Sequence, residues 1–241
     1  MISVCLPYWK RQAALDRMFD NYAALYGNTP PRIEFSVCDD GSPEPAVVPE
    51  EVVLTRLQEK SGALNPCVPI NAAVAASSGD IVVLTNAEIE HRTPILYEMM
   101  QLLQGPDDYV VARVMDVRRG GVWVAGPGTD YERRLPVPPG AHFHFLSMFH
   151  RELWERAGGF DEAYRQGQAC DDNDWLWRLC VVGALFKCTT QVAWHIPSNL
   201  TWSLPHNREL FFSKWPLERR MQVLVQNVVG EETKGLKKGA L

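Results

Sequence analysis

Three carboxylates fall within four residues at Asp171, Asp172 and Asp174, directly ahead of the apolar, arginine-bearing stretch Trp175-Leu176-Trp177-Arg178-Leu179. The cluster follows Gly158-Gly159-Phe160-Asp161-Glu162 by eight residues. Acidic side chains are favoured in the first turn of a helix, where the dipole stabilises negative charge. A capping side chain satisfies only one or two orphan amides, so three carboxylates exceed what a cap needs. Crowded carboxylates repel, which raises the pKa of at least one and makes it a candidate proton acceptor in a cleft. The plainer alternative is a solvated, over-capped helix start. Asp174 and Arg178 have the i, i+4 spacing of a helical ion pair, and Trp175 and Trp177 are expected in the core.

The elements that must hold this cluster begin at the N-terminus. Ile2–Leu6 reads as a buried strand closed by Pro7. From Arg11 to Leu25, Ala14, Leu15, Met18, Phe19, Tyr22 and Leu25 recur at helical spacing. Ile33–Cys38 is the next strand and stops at the turn sequence Asp39-Asp40-Gly41-Ser42. Val52–Arg56 is a third strand, Pro69–Ser77 a small-residue helix, and Ile81–Leu84 an unbroken buried strand. This alternation predicts an α/β protein with a mostly parallel sheet covered on both faces. Ligands of such sheets bind beyond the carboxyl ends of the strands. Those ends here are Pro7-Tyr8-Trp9, Cys38-Asp39-Asp40 and Thr85-Asn86-Ala87-Glu88.

The second half reads as strands at Tyr109–Met115, Val122–Val124, Phe143–Phe149 and Leu185–Thr189, with a long Pro- and Gly-rich loop from Ala125 to Gly140. Asn207–Val229 reads as one amphipathic helix interrupted near Pro216, and Glu231–Leu241 as a flexible tail. We expect one domain over residues 1–230, with a ligand-binding half at 1–90 and a second half at 91–230. The 241 residues are 46% hydrophobic and 22% charged, an ordinary globular composition. A net charge of −5 gives no electrostatic case for a nucleic-acid partner. The six cysteines form no CxxC pair, which argues against a zinc site and for reduced thiols in a cytoplasmic protein. No signal peptide is visible, and no run approaches the roughly 20 apolar residues of a membrane span. Peripheral contact with a membrane remains compatible with this pattern, and the oligomeric state is open.

Taken in order, five segments resemble the GT-A nucleotide-sugar glycosyltransferases, in particular the inverting group called glycosyltransferase family 2. They are Ile2–Trp9, Phe35–Ser42, Asn71–Leu84, Gly158–Glu162 and the acidic cluster, within roughly residues 1–195. The stretch from Gly158 through the cluster is also similar to the carboxyl half of galactosyl- and N-acetylgalactosaminyltransferases. The resemblance implies a GT-A, Rossmann-like sheet flanked by helices, with a smaller acceptor-side subregion. It implies a nucleotide-sugar donor, UDP-linked by preference, and a hydroxyl acceptor on a glycan or glycolipid. Pro7 and Tyr8 would wall the nucleoside slot, Asp39 and Asp40 would accept hydrogen bonds from base or ribose, and Lys60 and Asn65 would contact the donor. An Asx-turn is the local alternative for Asp40.

The family's Asp-x-Asp metal motif is replaced here by Asn86-Ala87-Glu88. Glu88 keeps a hard oxygen ligand and Asn86 keeps oxygen without charge. With His195 they would hold Mn²⁺ or Mg²⁺ on the donor diphosphate. Glu90 and His91, just downstream, read as surface residues. By motif position Asp172 would be the base and Asp171 would orient the acceptor, in a single inverting displacement. The segment carrying Trp202, His206, Phe211, Phe212, Lys214 and Trp215 is expected to dock, with the Trp194–Asn207 loop moving. A nucleotidyltransferase would need a glycine-rich basic loop where the chain has Pro7-Tyr8-Trp9-Lys10-Arg11. The altered metal motif motivates the alternative of a non-catalytic sugar-nucleotide-binding or scaffold protein, and the intact acidic cluster argues against it.

Overall fold

The computed structural model describes residues 1–27, 31–62, 65–118, 120–127, 136–196 and 207–238, with side chains in the last helix to Asn227. Half of the Ala125–Gly140 loop, and Trp202 and His206 with most of the Trp194–Asn207 loop, lie outside the described residues.

Strands β1 (Ile2–Tyr8), β2 (Ile33–Asp39), β3 (Val53–Arg56) and β4 (Ile81–Thr85) pair in parallel in the order β3-β2-β1-β4. Helix α1 (Gln12–Tyr26) lies between β1 and β2, and α2 (Cys67–Ala76) precedes β4. Helices on both faces require strands that are apolar on both, and five of the seven residues of β1 are fully withdrawn before Pro7. The run Ala72-Ala73-Val74-Ala75-Ala76 lets α2 approach the sheet so closely that Ser36 Oγ donates to the Ala73 carbonyl at 2.7 Å. Register aligns the strand ends: Tyr8 stands opposite Asp39, which stands opposite Arg56.

Beyond β4 the sheet becomes mixed. β8 (Leu146–His150) runs antiparallel to β4, and β6 (Asp108–Asp116) antiparallel to β8. β9 (Leu185–His195) runs parallel to β6, β5 (Ile89–His91) antiparallel to β9, and β7 (Val122–Ala125) pairs with β6. The parallel pattern read from the first half therefore holds for β1 to β4 and gives way in the second half. β9 continues well past the expected end at Thr189. A register shift between Val111 and Arg113 interrupts its ladder, and Glu98 of α3 (Ile95–Leu102) accepts hydrogen bonds from the Thr190 and Gln191 amides at 2.7 and 3.0 Å. Polar residues at this irregularity end the apolar run while the strand goes on.

Helix α4 (Arg151–Ala157) ends on Gly158 in the left-handed region, with its amide on the Trp154 and Glu155 carbonyls. A 3-10 turn (Glu162–Gln166) leads to α5 (Asp171–Val181). The carboxyl segment forms α6 (Arg208–Lys214) and α7 (Leu217–Lys238), broken at Pro216 as expected. α7 continues beyond Val229 to Lys238, into the segment read as a tail. Phe211 and Trp215 are buried with Tyr164, Trp177 and Val223 in a second apolar cluster beside the main core. None of the six cysteines forms a disulfide, and five are buried. Among the described residues no helix is long and apolar enough to cross a membrane.

Candidate active site

A cleft of about 230 Å³ opens at the carboxyl ends of the strands, lined by Pro7, Tyr8, Trp9, Arg11, Asp40, Lys60, Asn86, Glu88 and His195 among others. Asp40 directly follows β2, and its carboxylate accepts from the Ser61 amide at 2.8 Å and pairs with Lys60. Gly41 makes this possible. Its φ is +67°, and a Cβ there would stand 2.3 Å from the Glu59 carbonyl carbon. The chain thus folds tightly enough to bring residues 59–61 over Asp40. Lys60 and Lys10 both lie over the Trp9 ring, at 5.1 and 4.6 Å from its centroid.

Asp39 does not reach the cleft. It is fully buried, and its oxygens accept from the Ser42 amide at 2.9 Å and the Ala46 amide at 3.0 Å. It builds the turn that presents Asp40 and is not placed to bind a donor. Asn65 also departs from the expectation. Its Oδ1 accepts from the Cys67 amide at 3.1 Å at the start of α2, and its side chain stands beside Asp171. Asn65 thus belongs with the acidic pair.

Two distant segments meet to form the setting of that pair. Asn71 of α2 donates to the Phe160 carbonyl and accepts from the Phe160 amide, both at 2.9 Å. This reciprocal bond fixes the Gly-Gly-Phe segment, and the loop it leads into, against α2. Ala169 and Cys170 then adopt left-handed φ values of 62° and 73°, immediately before Asp171. Two such non-glycine residues in succession cost about 1–3 kcal/mol each. They set the direction from which α5 begins.

Asp171 is buried and Asp172 half-buried on the first turn of α5. Burial pushes both pKa values upward, and Asp172 is raised further because the Asp171 charge stands beside it. The neighbouring Asn65 side chain and the helix-start amides offset part of the rise at Asp171. The two titrate as a unit. They do not enclose the cleft themselves. Asp171 stands near Cys67 at the start of α2, next to Pro66, which with Pro69 forms part of the cleft wall. Asp174 faces the carboxyl helices instead. Its Oδ1 accepts from Trp215 Nε1 at 2.7 Å and from the Tyr164 hydroxyl at 3.3 Å, and Arg178 stands 4.0 Å away. Trp175 and Trp177 are buried.

The strand pairing that joins β5 to β9 sets Ile89 opposite His195, and the Ile196 amide donates to the Glu88 carbonyl at 2.9 Å. Glu88 and His195 therefore reach one cleft from segments far apart in the chain. Glu88, however, is ion-paired to Arg11, and His195 Nδ1 lies 3.9 Å from Asp116 Oδ2. His91 is not on the surface. It is buried against Tyr22 and Tyr26, and burial lowers its pKa to about 3.

A family model described as glycosyl transferase family 2 matches residues 3–160. The chain belongs to that family. Its fold is the GT-A fold seen in several solved structures. The mannosyltransferase PcManGT from Pyrobaculum calidifontis, in complex with GDP-Man and Mn²⁺, is 16% identical with a TM-score of 0.57, over 99% of this chain and 79% of that one. S. aureus TarS 1–349 in complex with UDP is 14% identical with a TM-score of 0.63, over 94% and 70%. GalNAc-T7 with UDP, GalNAc and Mn²⁺ is 15% identical with a TM-score of 0.68, over 91% of this chain and 49% of that one. No curated protein sequence matches the chain.

Manganese accompanies two of these family-fold neighbours. The described residues of this chain fit such an ion poorly. Among them, no three His, Cys, Asp or Glu side chains gather where they could hold an ion. Mg²⁺ and Mn²⁺ take oxygen-rich, anionic shells. Here one position is the neutral Asn86, and the Glu88 carboxylate is occupied by a guanidinium. Sequence reasoning missed Arg11 and Trp9. The signal for Arg11 was present: it is a cation at the start of a helix, where the dipole repels it, and such a residue needs an anion nearby.

Proposed function

We propose that this family 2 glycosyltransferase moves a sugar from a nucleotide-diphosphate sugar, UDP-linked by preference, to an acceptor hydroxyl of a glycan or glycolipid, with inversion. The observation that carries the reading is the Asp171–Asp172 pair at the start of α5, one buried and one half-buried, with raised pKa values, near the Pro66 wall of a cleft at the strand ends. Two of the three neighbours named above hold UDP, which supports the donor preference. Pro7, Tyr8 and Trp9 offer the flat apolar wall that a nucleobase needs, and Asp40 accepts hydrogen bonds from base or ribose. Lys60, paired to Asp40 and stacked on Trp9, places a positive charge toward the phosphates. Asp172 takes the proton of the acceptor hydroxyl as its oxygen bonds to the anomeric carbon. The bond from that carbon to the phosphate oxygen breaks, and the nucleoside diphosphate leaves with its electron pair. Asp171 orients the acceptor and, by sharing charge with Asp172, keeps the base strong. Residues 1–90 bind the donor and 91–230 supply the base and the acceptor side. Cysteines outside disulfides fit a reducing, cytoplasmic setting.

The test is turnover of UDP- and GDP-sugars by the intact chain and by Asp172→Asn, with nucleotide affinity measured alongside. Asp172→Asn is expected to lower turnover by about 10²- to 10⁴-fold while leaving nucleotide affinity nearly unchanged. Unaltered turnover would move the base elsewhere. Nucleotide binding with no turnover in the unaltered chain would favour the scaffold reading instead.

A further inference from the structure

Arg11 is a cation placed where its own helix disfavours one. It occupies the N-cap position of α1 and makes no side-chain capping bond. Its side chain is only 32% exposed, and the Glu88 carboxylate that holds it is 8% exposed. A buried ion pair of this kind gains little stability, because desolvation offsets the attraction. It stands in the wall of the cleft, with Lys60 and Asp40 in the same lining. Guanidinium carries five N–H donors in a fixed fork, and one carboxylate engages no more than two of them. The remaining donors are available to a second anion, and the fork matches phosphate oxygens.

The charge balance of the cleft is consistent with this. Asn86 and Glu88 together supply one carboxylate where the family's Asp-x-Asp motif supplies two, and that one carboxylate is already paired with the Arg11 guanidinium. We infer that Arg11, aimed by Glu88, is the group that neutralises the diphosphate of the donor in this chain, so that donor binding and leaving-group departure proceed without a divalent cation. The inference rests on the nucleotide-sugar reading above. Arg11 donates hydrogen bonds to the phosphate oxygens as the bond to the anomeric carbon breaks, and Lys10 and Lys60, held on Trp9, add charge at the rim. Glu88 acts as a positioning residue.

The decisive experiment is a calorimetric titration of UDP and GDP into the full chain, once in EDTA and once in Mn²⁺. Three proteins are compared: unaltered, Arg11→Lys, and the double variant Arg11→Met with Glu88→Met. The double variant removes both charges together, so that no buried carboxylate is orphaned, and a thermal melt checks that it folds. The expected result is nucleotide binding that EDTA leaves within about twofold. The double variant should weaken it by about 10- to 100-fold, as loss of charge-assisted hydrogen bonds predicts. Arg11→Lys should fall between, since ammonium keeps the charge and loses the fork. Binding that appears only with Mn²⁺, or that is indifferent to Arg11, overturns the inference and leaves the glycosyltransferase reading standing. Absence of nucleotide binding in both solutions overturns both.

Discussion

At the scale of residues, the same physics that readies Asp172 for catalysis works against stability. A carboxylate whose pKa is raised by folding binds its proton more tightly in the native state, so stability is lost as pH rises from the ordinary carboxylate range through the raised value. The rate should follow the opposite course, increasing with pH through that value as the pair ionises. Asp172→Asn removes the partly buried charge and keeps the shape. We expect it to lose turnover at neutral pH as stated above and to be more stable by about 1–2 kcal/mol, a rise of a few degrees in Tm. A Tm below that of the unaltered chain, measured at pH 7.5, would contradict the burial argument. Asp39 and Asp40 show how neighbouring identical residues diverge. The backbone amides of Ser42 and Ala46 claim Asp39, while the turn leaves Asp40 facing the cleft.

Among the elements, α5 is the joint between catalysis and the carboxyl helices. Its first turn carries the acidic pair, and at the end of that turn Asp174 receives the indole of Trp215. Trp215 packs at 5.8 Å between ring centroids on Trp177, Asn207 donates to the Tyr164 and Ala169 carbonyls at 2.8 and 3.0 Å, and Lys214 pairs with Asp161. The segment is therefore docked. Trp215→Ala removes a buried aromatic and takes the indole donor from the Asp174 carboxylate, and should cost about 3–5 kcal/mol. Because Asp174 is on the same helix as Asp172, turnover at a temperature where the variant is folded should also fall. Trp215→Phe keeps most of the packing and should cost less. Equal losses from the two substitutions in denaturant titrations would show that the indole hydrogen bond, not packing, carries the effect of position 215. The repeated apolar runs made β1, β2, β4, α1 and α2 legible within a residue or two. The short helices α3 and α4, and β5, were not read, because each is too short to establish a period.

For the molecule as a whole, titrating groups of opposite tendency coexist. His91 is buried and His144 half-buried, and desolvation lowers their pKa values to about 3 and about 4. Each contributes stability that is fully present above the unfolded histidine value of about 6.5 and is lost as pH falls toward its lowered value. The Asp171–Asp172 pair gains stability over much of the same interval as it takes up its shared proton. The two tendencies partly cancel. The double variant Asp171→Asn with Asp172→Asn lacks the compensation, so its Tm should fall more steeply than that of the unaltered chain between about pH 6.5 and 4. Parallel curves would show that the pair is not buried as described.

The amino-acid sequence by itself determined the order of strands and helices in the first half, the turn after β2 and the acidic start of α5. These are local: a run of β-branched residues, an Asp-Gly step and a dipole-matched first turn each act through neighbours in the chain. The partners of the site residues were decided only by tertiary structure. Register carried Glu88 beside His195, the Asn71–Phe160 bond brought α5 to α2, and the fold of the β1–α1 connection set Arg11 against Glu88. No local pattern encodes such meetings, because they depend on which strand lies next to which. The Asn86-Ala87-Glu88 segment specified one carboxylate at the end of β4, and the chain folding back from β1 supplied the guanidinium that pairs with it.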